Sequence, residues 1–68
     1  MLKYLCKANN FNEKQSLVWL LQDNGIECIS KTKGAGIMSR DPDRIFWFKL
    51  YVKKSDYKKA LDLINQKQ

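Results

Sequence analysis

One stretch constrains what this chain can fold into more than any other: Arg44 to Lys54, which reads RIFWFKLYVKK. It is the longest run of strand-forming residues in the sequence, and it alternates. Successive side chains of a strand point to opposite faces. Phe46, Phe48, Leu50 and Val52 therefore share one face, while Ile45, Trp47, Lys49, Tyr51 and Lys53 share the other. The first face predicts a core. The second mixes large aromatics with lysines and is the clearest functional clue in the sequence.

Shorter elements surround this strand. Met1–Ala8 reads as a strand with Leu2, Tyr4, Cys6 and Ala8 on one face and Lys3, Leu5 and Lys7 on the other. A helix follows. Asn10 suits an N-cap, Glu13 stands three residues on, and Leu17, Leu20 and Leu21 supply an apolar stripe. Gly25 then predicts a left-handed cap, and Ile26 falls where a Schellman motif places its contact back onto Leu21. Ile26–Lys33 predicts a second strand of weaker alternation, with Ile26 and Cys28 inward and Glu27, Ile29, Lys31 and Lys33 outward or with the opposite parity. Residues 34–43 (GAGIMSRDPD) have loop composition. After the central strand, Ser55 or Asp56 is expected to cap a second helix, whose Tyr57, Ala60, Leu61 and Ile64 face the sheet.

The predicted order is strand, helix, strand, strand, helix in a single domain spanning residues 1–68. Both helices have one apolar face, so both can cover one side of a three-stranded antiparallel sheet, an α+β two-layer sandwich. A right-handed crossover sets the first and third strands side by side, with the second at an edge. This is the ferredoxin-like split βαβ unit without its fourth strand.

Composition narrows the function classes. Thirteen Lys and Arg against seven Asp and Glu leave a net charge of +6, a balance that favours acidic partners, nucleic acid or anionic surfaces. There is no histidine, so the commonest general base and the commonest zinc ligand are both missing. No nucleophile–base pair or metal set stands out, and the chain reads as a non-enzyme that needs no cofactor and no metal. Asp41 and Asp43 read as turn formers. Cys6 and Cys28 fall on strands that should not be neighbours, which predicts free thiols in a reducing cytoplasm. The N-terminus MLKYLCKANN reads as neither signal peptide nor membrane span.

The segment NNFNEKQSLVWLLQDNGI, through Asn10, Glu13, Leu20, Leu21, Gly25 and Ile26, resembles the first-helix signature of a family of small bacterial signal-transducing domains. LYVKKSDYKKALDLI is similar to that family's strand-into-helix signature through Leu50, Val52, Asp56, Ala60 and Leu63. The chain departs from the family pattern at Lys14, where Ala is common, and at Lys53, where Pro is common. The resemblance spans nearly the whole chain. It implies a PII-like, ferredoxin-like βαββα fold and a regulatory role without a defined activity.

Three candidate surfaces follow. The outward sheet face is expected to carry Lys3, Leu5, Lys7, Ile29, Lys31, Lys33, Trp47, Lys49, Tyr51 and Lys53. Its apolar and aromatic members suit self-association or a protein partner, with the first strand an unpaired edge. The alternative partner is RNA or single-stranded DNA, since lysines neutralise phosphates and flat rings stack on bases. The second candidate is the loop, where Gly34 and Gly36 could offer backbone N–H groups to an anion beside Arg40 and Arg44. The third is Trp19, which lies opposite the leucine stripe of the first helix and is either an exposed anchor for a partner or a ring lying flat on the surface beside Lys or Gln stems.

Overall fold

In the computed structural model, residues 1–34 and 46–67 are described. The elements are β1 (Leu2–Ala8), α1 (Phe11–Asp23), β2 (Cys28–Gly34), β3 (Phe46–Lys53), a 3-10 turn (Lys54–Asp56) and α2 (Tyr57–Lys67). The sheet order is β1-β3-β2, with both ladders antiparallel. β1 and β2 therefore run parallel to each other, α1 crosses between them, and β3 fills the gap. Arg44 and Ile45, read as the start of the central strand, lie outside the described residues, and Lys54, read as its end, opens the 3-10 turn.

β3 is central because its two faces serve two purposes. Leu50 and Val52 are fully buried, and both helices pack on the side they present. Val52 joins Leu5, Leu21, Ile26 and Ala60 in one cluster, with Tyr57, Leu61, Leu63 and Ile64 of α2 closing over it. Leu50 joins Ala8 and Leu17 in a second. Fully burying side chains such as Leu21, Ile26, Leu50 and Val52 contributes about 1.5–3 kcal/mol each. The core fades toward the start of the strand. Phe48 is half-buried with Phe11 edge-on at 6.5 Å, whereas Phe46, expected inside, sits opposite Gly34 and is exposed.

Both ends of α1 are set by local chemistry. The Asn10 side-chain oxygen accepts a hydrogen bond from the Glu13 backbone N–H at 2.8 Å, satisfying a donor that the first turn leaves without a partner. At the other end Gly25 has φ of 76°, and the Ile26 and Gly25 N–H groups donate to the Leu21 and Gln22 carbonyls at 2.9 and 3.0 Å. This is the Schellman pattern. It steers Ile26 back over Leu21, and both end up in the same cluster. α2 starts differently from expectation. Ser55 and Asp56 lie within the 3-10 turn, so the strand passes into the helix through a tightened turn.

The main departure from simple alternation is in β1. Its register against β3 runs Leu2–Lys53, Lys3–Val52 and Tyr4–Tyr51, skips Leu5, and resumes at Cys6–Leu50, Lys7–Lys49 and Ala8–Phe48. Leu5 is the extra residue of a β-bulge. The cause lies in two side chains. Leu5 and Lys7 are two apart, so a regular strand would put them on one face, yet one is apolar and the other charged. The bulge separates them. Leu5 turns into the core, 6% exposed, and Lys7 stays outside. Upstream, every parity is reversed relative to the sequence expectation: Leu2 and Tyr4 move to the open face, and Lys3 moves to the helix side, its Nζ 4.1 Å from the centre of the Tyr57 ring.

This assignment separates two leucines of one strand. Leu5→Ala should cost about 2–5 kcal/mol in urea unfolding, while Leu2→Ala, at a site 45% exposed, should stay within about 0.5 kcal/mol. Equal losses at the two positions would rule the bulge out.

Candidate ligand-binding face of the sheet

The side of the sheet away from the helices is built in cross-strand rows, because directly paired residues point the same way. Tyr4, Tyr51 and Ile29 form one row. Lys7, Lys49 and Lys31 form the next. Trp47 and Lys33 begin a third, and Leu2 and Lys53 close the opposite end. Lys49 thus has a lysine directly opposite on both sides. Strands are spaced about 4.8 Å apart, so the three-lysine row spans about 10 Å across the sheet.

These ammonium groups rest on rings rather than on carboxylates. Lys7 Nζ lies 5.6 Å from the centre of the Trp47 ring, Lys31 Nζ 5.0 Å from that of Tyr51, and Lys49 Nζ 5.9 Å from that of Tyr4. Tyr4 and Tyr51 themselves meet edge to face at 5.8 Å. Among the described residues the face has one ion pair, Lys53 with Glu27 at 3.6 Å, at its corner. That pair is open to solvent and contributes little. Cation–π contacts at exposed sites are worth about 0.5–1 kcal/mol each, enough to offset part of the repulsion along the row and not to neutralise it.

Of the residues expected on this face, Lys7, Ile29, Lys31, Lys33, Trp47, Lys49, Tyr51 and Lys53 are there. Lys3 and Leu5 are not. The bulge buries Leu5 and swings Lys3 to the helix side. Leu2 and Tyr4 take their place, and Tyr4 is the residue that simple alternation missed. The Leu5–Lys7 conflict was the signal that could have revealed it. Trp47 and Tyr51 are half-buried on the side of the sheet away from both helices.

The other candidates stand apart. Trp19 is 59% exposed on α1, on the opposite layer. Gly34, expected in the loop, is the last residue of β2, opposite Phe46. Gly36, Arg40 and Arg44 lie outside the described residues, as do Asp41 and Asp43. Cys6 and Cys28 are free thiols on the two strands that flank β3. Burial pushes the Cys6 thiol up to about 11 from its ordinary 9.0, with Cys28 and Glu13 adding to the effect. Burial raises Cys28 too, partly offset by a backbone hydrogen bond involving Tyr51 and by the charge of Lys14. Both stay protonated near neutral pH, the unreactive form. Among the described residues no group of three or more His, Cys, Asp or Glu could hold a metal ion, and no helix is long and apolar enough to cross a membrane.

Set against known proteins, the chain matches no family model, no curated protein and no solved structure.

Two outcomes are expected. Like charges directly opposite one another destabilise a sheet, so Lys49→Met, which keeps the apolar stem, should raise stability at low salt by roughly 0.2–1 kcal/mol. Added salt should shrink that gain, and a loss of stability on the substitution would contradict the row. For Cys6 the folded-state pKa lies above the unfolded one, so the folded chain holds the proton more tightly. Stability is intact below about pH 9 and should fall as pH rises toward about 11. Cys6→Ala should lose less stability over that window in chemical unfolding than the parent protein.

Proposed function

We propose that this chain is a non-catalytic binding module with a ferredoxin-like, PII-like βαββα layout, and that its open sheet face docks an extended anionic partner. The observation that carries this reading is the in-register row Lys7–Lys49–Lys31. Three ammonium groups in line cost folding stability in the free protein, and a polyanion laid across them converts that cost into binding energy. The face is flanked by rings, and neither helix covers it.

Self-association through the same face is the weaker reading. Two copies stacked face to face would oppose one lysine row to another, with Glu27 at a corner as the nearest acidic complement. The resemblance to small signal-transducing domains adds a regulatory setting, in which docking rather than turnover is the output. Two free thiols that stay protonated fit a reducing compartment such as the cytoplasm.

The test is binding to inorganic polyphosphate and to oligo(dT), followed from about 50 mM salt upward. At least one should bind, and the affinity should fall steeply with salt, with a log–log slope of about −2 for three phosphate contacts. The triple variant Lys7→Met, Lys31→Met, Lys49→Met should abolish it. Absence of binding to both polymers at low salt, or equal binding by the triple variant, refutes the reading.

A further inference from the structure

The lysine row explains attraction to a polyanion but not the rings beside it. Each ammonium in the row lies over a different aromatic ring: Lys7 over Trp47, Lys31 over Tyr51 and Lys49 over Tyr4. Resting on the proposed docking function, we infer that these three lysine–ring pairs are nucleotide subsites and that the partner is single-stranded nucleic acid. Each lysine leaves its ring for a phosphate, and a base takes the ring face that the ammonium vacates.

The chemistry selects this partner over other polyanions. A cation–π contact marks a ring face that is open and accessible to something flat and polarisable. Single-stranded nucleic acid carries one phosphate and one base per residue, so it satisfies both members of a pair at once. Polyphosphate, an acidic peptide or a sulfated glycan satisfies the lysines alone and must displace them from the rings without replacement. A duplex offers phosphates, but its bases are stacked inside and cannot lie on Tyr51 or Trp47. The bulge in β1 is what completes the set. By turning Tyr4 outward beside Tyr51 while keeping Lys7 outward two rungs on, it supplies the ring of one pair and the cation of another. With three pairs, the footprint is three nucleotides.

The experiment uses the full chain with Trp19→Phe, so that Trp47 is the sole tryptophan and its fluorescence reports on this face. Oligo(dT) and oligo(U) should quench it. An abasic phosphodiester of the same length should bind at least about 5-fold more weakly and should not quench. Affinity should climb per added nucleotide up to three and then level. Tyr51→Leu should weaken oligo(dT) by at least about 5-fold while leaving the abasic polymer unchanged.

If the abasic polymer and polyphosphate bind as tightly as oligo(dT), the nucleic-acid inference falls while polyanion docking stands. Tighter binding of a duplex than of a single strand overturns it likewise. If no polyanion binds at low salt, both readings fail together. The abasic comparison needs no substitution in the face, so it decides the question even if Tyr51→Leu folds poorly.

Discussion

The fold depends on β3 being paired on both sides. Its ladder to β1 and its ladder to β2 satisfy the backbone hydrogen bonds of the central strand, which frees its side chains to serve two opposite environments. On one side Leu50 and Val52 are fully buried and collect both helices. On the other, Trp47, Lys49 and Tyr51 have neither helix above them. A three-stranded sheet with two helices can cover only one face, so the chemistry of the second face is decided by which residues the ladders bring into line.

That alignment turns on the bulge at Leu5. A strand has a period of two, and one extra residue reverses every side chain beyond it. Here the reversal resolves a conflict between an apolar and a charged residue at the same parity, and in doing so it assembles the open face. Tyr4 joins Tyr51, and Lys7 lines up with Lys49 and Lys31. The same event moves Lys3 to the helix side, its ammonium over the Tyr57 ring at the start of α2.

The remaining polar features among the described residues support this frame. The Asn10 cap and the Gly25 turn fix where α1 starts and stops, and therefore where β2 begins relative to β3. The two thiols are packing groups on the helix side of the sheet, held protonated by burial. The open face brings together Lys7, Lys31, Lys33, Lys49 and Lys53.

What the sequence by itself determined is whatever local chemistry dictates. The alternation within Arg44–Lys54 made the central strand legible, the Asn10–Glu13 and Gly25–Ile26 spacings marked both ends of α1, and crossover handedness implied the β1-β3-β2 order. The β3 part of the open face followed from its alternation, whereas the parity of β2, open in the sequence, was set by its register against β3. What only the tertiary structure decided was the N-terminal half of β1 and the cross-strand rows. Whether Leu5 or Tyr4 is buried depends on the helices available to cover it. That Lys7, Lys49 and Lys31 stand in one line depends on the registers of two ladders, and register is a property of pairs of strands that no single strand contains.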